Sequence, residues 1–246
     1  MLSRLRRNLA EANYGALALE LIVVIVGILV AFQIDRWAEE RRDRAQEAQY
    51  LERLRADLRF EVELMEQGIE FADSRIAAVR LLESIANDPS VAAEEPVGTL
   101  SALERATWRS FPHISAYVYT ELQTTGNLSL IQSEALRKDL AEYYSYIRFE
   151  SMIGLDLETQ RQFARQTAGM LTMDELIGIE DRQPQQNDIT AARAIAIAEE
   201  FAMRREAVNL LPSIAQHHAF NRNVIENSRD KAKQIIATLD AMTEKK

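Results

Sequence analysis

The three histidines are the first residues to consider as metal ligands or catalytic bases, because imidazole titrates near neutral pH. They are His113, His217 and His218. Adjacent residues of a helix point about 100° apart, so His217 and His218 cannot easily face one metal ion. No HExxH or Glu-x-x-His pair accompanies them. The sequence therefore predicts surface histidines or hydrogen-bonded core histidines, and no metal site.

Aromatic side chains are a second set of candidates, and they concentrate in two short stretches: Phe111, Tyr117, Tyr119, Tyr143, Tyr144 and Tyr146. Such rings could line a small-molecule pocket between helices, where the tyrosine hydroxyl groups would offer polar contacts. The simpler interpretation is that the rings pack the junction between bundle helices. The sequence leaves both uses open.

Motifs of the common enzyme classes are missing from the sequence. The chain contains no cysteine, which excludes disulfides, thiolate metal sites and cysteine nucleophiles. It also lacks Walker A, GxGxxG and GxSxG motifs. We therefore predict a protein that is not an enzyme, with no catalytic residues and no cofactor. The net charge of -9 argues against nucleic acid as a partner, since phosphate requires a basic surface.

The composition indicates that helices carry whatever sites exist. Hydrophobic residues make up 47% of the 246 residues and charged residues 27%, the balance of a folded protein. Only 8 glycines and 5 prolines are present, which leaves little material for hairpin turns. No segment alternates like a strand, so the sequence predicts an all-α fold.

Residues 14–36 are predicted to form a transmembrane helix behind a basic tail, residues 1–13. Residues 14–34 would span about 30 Å as a helix, the thickness of a bilayer core. The uninterrupted apolar run from Leu21 to Phe32 would also suit a cleaved signal or a buried core helix. However, the charged, helix-favouring sequence QIDRWAEERRDR follows in place of a cleavage site. These features favour an uncleaved signal anchor, and they predict the lipid bilayer as one partner of the chain.

Six residues are predicted to lie at the membrane interfaces: Tyr14, Gln33, Arg36, Trp37, Arg41 and Arg42. The two aromatic residues bracket the span, as aromatic belts do. The arginines could contact lipid headgroups, although a solvated helix surface with i,i+4 ion pairs is the simpler interpretation of residues 39–44.

One face of the predicted span carries residues suited to helix association. At 100° per residue, Glu20, Gly27 and Ala31 fall close to one line. Gly27 and Ala31 form a small-xxx-small pair, which allows close approach of two helices in lipid. We call these three residues the seam and interpret it as a homo- or hetero-oligomeric contact. The alternative is that Glu20 lies at headgroup level and Gly27 is incidental.

The remainder, residues 37–246, is predicted to be an antiparallel helical bundle: a long helix over 37–87, a linker over 87–99 and helices over 100–242. The long helix carries one apolar stripe with spacings of three and four: Leu51, Leu54, Leu58, Val62, Met65, Ile69, Ala72, Ile76 and Val79. Its near-heptad register also allows a coiled coil. A further long helix is expected from Glu134 towards Met173, and Pro212 is expected in a first helical turn.

Two stretches together resemble a family of uncharacterised bacterial single-pass membrane proteins. The first is Glu20 with VVIVGILVAFQ (23–33) and Trp37, and the second is TELQTTGNLSLIQSEALRKDLAEYY (120–144). The resemblance implies an anchor with a helical domain in the bacterial inner membrane, and it implies no activity. The basic tail, typical of signal anchors, favours a cytoplasmic N-terminus and a periplasmic bundle.

The leading functional hypothesis is a non-enzymatic membrane protein that self-assembles or serves a larger membrane complex as an accessory or scaffold subunit. The rival hypothesis is a ligand-binding or sensory bundle outside the cytoplasm. Such a bundle would need another protein to provide its output, because the chain has no separate output domain.

Overall fold

The computed structural model describes residues 14–108, 112–147, 153–180 and 189–244. Within them it contains eight α-helices and no strand, which confirms the all-α prediction. The helices are α1 (Tyr14–Asn87), α2 (Pro96–Arg105), α3 (Tyr117–Thr124), α4 (Glu134–Tyr146), α5 (Ile153–Thr167), α6 (Met173–Glu180), α7 (Ala191–Met203) and α8 (Arg205–Glu244). Two short 3-10 helices, Pro89–Ala93 and Asn127–Leu130, lie in the connections.

Helix α1 is one uninterrupted helix of 74 residues. At 1.5 Å per residue it is about 110 Å long. It ends at Asn87, before the Asp88–Pro89 pair, as the sequence predicts. The Asp88 carboxylate accepts hydrogen bonds from the backbone N–H of Ser90 (3.0 Å) and from its hydroxyl group (2.6 Å), which caps the following 3-10 helix.

Helix α8 packs along α1 in the antiparallel direction. The Arg55 guanidinium lies 2.8 Å from the carboxylate of Asp240, near the C-terminal end of α8. Farther along α1, Asp73 accepts a 2.7 Å bond from Arg222, nearer the start of α8. The two long helices therefore form the frame of the bundle, and α8 returns its C-terminal end towards the apolar segment of α1.

The bundle has two hydrophobic cores along α1. The proximal core, nearer the apolar segment, combines residues 50–69 of α1 with buried residues of α3, α4 and α8. The distal core combines residues 79–85 of α1 with residues of α2, α5, α6, α7 and the first turns of α8. The predicted stripe is buried except at Ile76, which is only half-buried. Arg75 takes the buried position between the two cores at 2% exposure.

Three predictions about element boundaries are wrong: the linker at 87–99, the long helix from Glu134 and the position of Pro212. The linker at 87–99 is partly helical, because Asp88 caps a 3-10 helix and α2 already begins at Pro96. The helix expected to run from Glu134 towards Met173 instead ends at Tyr146, and α5 ends before Gly169, whose φ of 79° is left-handed.

Pro212 lies inside α8 and not in a first turn. The helical path is interrupted earlier, at Arg204, which lies between the end of α7 and the start of α8. The Arg204 guanidinium donates a hydrogen bond to the Gln166 carbonyl oxygen at 2.5 Å. Ala207 and Leu211 are buried in the distal core, and this burial keeps the segment before the proline in the same helix.

Candidate functional site

The apolar segment of α1 is uncovered by the rest of the described chain. An 18-residue window of this helix has a mean hydropathy of 2.3, and none of that window is buried. Among the described residues it is the one helix long and apolar enough to cross a membrane. Its large side chains are about half exposed or more, including Ile25 at 47% and Phe32 at 62%. This exposure distinguishes the segment from a core helix.

The three seam residues lie on this uncovered segment. Glu20 and Ala31 are exposed. A β-carbon added to Gly27 would meet no atom within 4 Å, so this glycine makes no close contact with another described part of the chain. The face is therefore open for a second helix.

The predicted interface residues also lie on exposed parts of α1. Gln33, Arg36 and Arg42 are exposed, and Trp37 is 62% exposed. The Arg41 guanidinium carbon lies 5.6 Å from the Trp37 ring centroid, a cation–π contact at an exposed site. Tyr14 is the first residue of α1, and its side chain lies outside the described residues.

The bundle begins nearly three helical turns after Trp37. Glu47 is the first deeply buried residue of α1, and its carboxylate accepts a 2.8 Å bond from the backbone N–H of Gln132. Between them α1 is exposed and charged, with Arg44 3.7 Å from Glu40. Ten helical residues separate Trp37 from Glu47, a rise of about 15 Å.

A buried carboxylate is the most unusual side chain of the bundle. Glu61 of α1 is 3% exposed and lies within the proximal core. Its two carboxylate oxygens accept hydrogen bonds from the hydroxyl groups of Tyr143 (2.8 Å) and Tyr144 (3.3 Å). Both tyrosines belong to α4, 82 and 83 residues later in the chain. No described lysine, arginine or histidine forms an ion pair with Glu61.

Burial changes the protonation of this group. Desolvation is the largest effect, and it raises the pKa of Glu61 from 4.5 to about 7. The tyrosine hydrogen bonds oppose this rise, whereas the neighbouring Asp57 carboxylate adds to it. Burial and the nearby Glu61 charge raise the pKa values of Tyr143 and Tyr144, so both hydroxyl groups stay protonated as donors. Glu61 is thus poised to exchange a proton near neutral pH.

The aromatic residues divide between packing and exposure. Tyr144 stacks on Tyr119 of α3 with ring centroids 4.4 Å apart, and its ring meets Tyr143 edge-on at 4.8 Å. These three tyrosines are buried, while Tyr117 and Tyr146 are exposed. Phe111 lies outside the described residues. The packing interpretation therefore accounts for the buried three, and Glu61 gives them a polar centre.

Between the two cores, Arg75 lies against two aromatic rings. Its guanidinium carbon is 4.0 Å from the Phe71 ring centroid and 5.1 Å from that of Trp108. Burial, together with the charge of the neighbouring Arg105, lowers the pKa of Arg75 to about 10, so Arg75 remains charged at pH 7. This contact joins α1 to the segment that follows α2.

The histidines lie apart from Glu61. His218 is 2% exposed, and its Nε2 lies 2.8 Å from the carbonyl oxygen of Ala106. His217 is half-buried and His113 is exposed. In the described ranges no three His, Asp or Glu residues come together as metal ligands. His218 is thus a hydrogen-bonded core histidine, one of the two roles that the sequence predicts.

Sequence reasoning missed Glu61 although a signal was present. Glu61 lies three residues after Leu58 and four before Met65, both of which belong to the predicted stripe. A helix places such a residue on the same face as the stripe. An acidic residue on a face that other helices cover needs a hydrogen-bonding partner. The position of Glu61 on the stripe is therefore the signal that identifies it.

Comparison with known proteins gives one match. The sequence model described as "Family of unknown function (DUF6090)" matches residues 20–158, more than half of the chain. This match contains both stretches that carry the resemblance found in the sequence. No curated protein and no solved structure matches the chain.

Proposed function

We propose that this chain, which belongs to DUF6090, a family of unknown function, is a non-enzymatic single-pass membrane protein that self-assembles through its membrane span. The observation that carries the proposal is the division of α1. Its first part is apolar and is covered by none of the described helices, and its later part is covered by helices of the same chain. An apolar helix without an internal partner is stable in lipid, where its backbone groups bond within the helix.

Continuity of α1 makes the anchor and the bundle one rigid unit. No proline interrupts residues 14–87, and the helix runs through the exposed charged segment without a break. A continuous helix transmits the position of the span to the bundle, whereas a flexible linker would not. We propose that the bundle is held about 15 Å beyond Trp37 in this way.

The assembly claim rests on the chemistry of the seam. A carboxylate within a membrane span is costly unless it has a partner or reaches water. The small residues Gly27 and Ala31 lie on the same face of the helix as Glu20, and a second helix can approach closely there. A second copy would supply the same face by symmetry, which is the commonest arrangement in oligomers. An accessory role in a larger membrane complex would use the same face on another protein.

The mass of the full chain in detergent tests the assembly. Wild type is expected to form a defined oligomer of 28.0 kDa subunits. Gly27→Leu is expected to dissociate it because the leucine side chain separates the helices, and Glu20→Ala is expected to weaken it. Leu29→Ala, on the opposite face of the helix, is the matched control and should leave the mass unchanged. A monomeric wild type would refute self-assembly.

We further propose that the anchor lies in the bacterial inner membrane with the bundle in the periplasm. The support is the basic N-terminal tail, which is typical of signal anchors. Because the chain has no cysteine, single cysteines report the topology cleanly. An impermeant maleimide added to intact spheroplasts should label Glu63→Cys in the bundle but not Ser3→Cys in the tail. The reverse pattern would place the bundle in the cytoplasm.

A further inference from the structure

One corner of the proximal core brings two carboxyl groups of α1 together. Asp57 and Glu61 are one helical turn apart, and both line a small, largely apolar cavity of about 60 Å³. The opposite wall of this cavity is the stretch 115–117, which leads into α3. Phe60 and Tyr117 also line it, and they are 60% and 75% exposed. The cavity therefore lies between Glu61 and the solvent.

The two carboxyl groups have different surroundings. Asp57 is half-buried and accepts a 3.1 Å bond from the backbone N–H of Val118, in the first turn of α3. A helix N-terminus favours a negative charge, so this position suits a carboxylate. Glu61 is 3% exposed, and its described donors are the hydroxyl groups of Tyr143 and Tyr144. Of the two groups, Glu61 is therefore the one whose negative charge is costly.

No described cation offsets a charge on Glu61. Asp57 repels such a charge from the same helix. The charged groups that α1, α3, α4 and α8 carry in this part of the bundle pair with one another: Arg53 with Glu121, Arg59 with Asp240, Lys231 with Glu142 and Lys233 with Glu66. Loss of the Glu61 proton thus leaves a buried carboxylate without an ion pair and one turn from a second negative charge.

Backbone strain lies in the wall opposite Glu61. Ala116 has φ 49° and ψ 37°, and it is the one described residue other than glycine with a positive φ. In this conformation the β-carbon of an L-residue crowds the following carbonyl oxygen. A displacement that returns Ala116 to a negative φ relieves the crowding. The wall therefore loses less on opening than the unstrained helices around the cavity.

We propose that loss of the Glu61 proton opens this wall and admits water to the carboxylate, so that this corner of the bundle is a pH-sensitive switch. While Glu61 is neutral, its hydrogen bonds to the tyrosines and the apolar lining of the cavity favour the closed form. Once it is ionised, hydration of the carboxylate and repulsion from Asp57 favour the open form. The opening involves residues 115–117 and the first turn of α3, and it does not depend on whether the span self-assembles.

The pH range of the opening follows from the two protonation equilibria. Burial raises the pKa of Glu61 to about 7 in the closed form, whereas in the hydrated open form the ordinary value of 4.5 applies. Opening therefore releases a proton below about pH 7, and the opening equilibrium rises with pH until Glu61 is ionised in both forms. Between pH 6 and pH 8 this rise should be about tenfold.

Hydrogen–deuterium exchange of the full chain in detergent measures the opening. After correction for the intrinsic pH dependence of exchange, a peptide covering residues 117–124 should exchange about tenfold faster at pH 8 than at pH 6. A peptide covering residues 191–203, in the distal core, should show no such rise. Glu61→Gln should exchange equally at both pH values. Glu63→Gln, which removes an exposed charge from the same helix, should follow wild type.

Ala116→Gly tests whether the wall is the part that opens. Glycine adopts the left-handed conformation without strain, so exchange of residues 117–124 should slow several-fold at both pH values while the rise from pH 6 to pH 8 persists. Near-ultraviolet circular dichroism of each variant establishes that the tyrosine cluster is still packed. No rise in wild type, the same rise in Glu61→Gln, or an equal rise in residues 191–203 would overturn the proposal. Unchanged exchange in Ala116→Gly would overturn it as well.

Discussion

Replacing Glu61 by glutamine should remove most of the pH dependence of bundle stability between pH 5 and pH 8. Glutamine has the same shape but no charge, and its amide can remain hydrogen-bonded to Tyr143 and Tyr144. The folded chain holds the Glu61 proton more tightly than the unfolded chain does. The contribution of Glu61 protonation to the stability of the wild type is therefore fully present below about pH 4.5, and it is lost as the pH rises through about 7.

The magnitude follows from the two pKa values. A rise from 4.5 to about 7 corresponds to about 3 kcal/mol over the whole range, at about 1.4 kcal/mol per pKa unit. Roughly 2.5 kcal/mol of this falls between pH 5 and pH 8. For a bundle of this size that is about 5–10 °C in melting temperature. Glu175, whose pKa the Arg193 guanidinium lowers to about 2, titrates below this range and does not contribute.

Thermal unfolding of the full chain in detergent, followed by near-ultraviolet circular dichroism of the packed tyrosines, measures the effect. Wild type should melt lower at pH 8 than at pH 5, whereas Glu61→Gln should melt at nearly the same temperature at both. Glu63→Gln controls for the loss of one exposed negative charge and should follow wild type. Parallel pH profiles for wild type and Glu61→Gln would refute the burial argument.

Substitutions at three further positions test the fold, each by the midpoint of urea unfolding in detergent. Arg75→Met should raise stability by about 1 kcal/mol, since replacing a buried charge by an apolar chain of similar length is often stabilising; a loss would show that the Phe71 and Trp108 contacts outweigh desolvation. Asp88→Ala should lower the midpoint by removing the cap, and Asp88→Asn should lower it less because its side-chain oxygen can still accept the Ser90 N–H bond. Gly126→Ala should cost about 1 kcal/mol because φ there is 75°, and an unchanged midpoint would contradict this.

Much of the helical framework could be predicted because its signals are local. Each of three signals affects only the residues next to it in the sequence: the apolar run, the Asp88–Pro89 pair at the end of α1 and the left-handed Gly126. Ser133 begins α4 by accepting a 3.2 Å bond from the Leu136 N–H, which is a local cap as well. Spacings of three and four likewise identify the face of α1 that the bundle covers.

The polar interior could not be predicted because its causes are distant in sequence. Glu61 is tolerated in the core through tyrosines of α4, and Arg75 through the ring of Trp108 in addition to a neighbour on its own helix. Pro212 is kept inside α8 by burial on both sides of it in the distal core, which outweighs the hydrogen bond that proline removes. Periodicity alone carries no information about such partners.

Cysteine crosslinking in native membranes tests most directly the claim that the span assembles through one face. The chain has no cysteine, so Ala31→Cys on the seam and Leu29→Cys on the opposite face each introduce a single thiol. Under mild oxidation the account predicts a disulfide-linked band at twice 28.0 kDa for Ala31→Cys and a monomer for Leu29→Cys. No dimer with Ala31→Cys, or equal crosslinking at both positions, would contradict it.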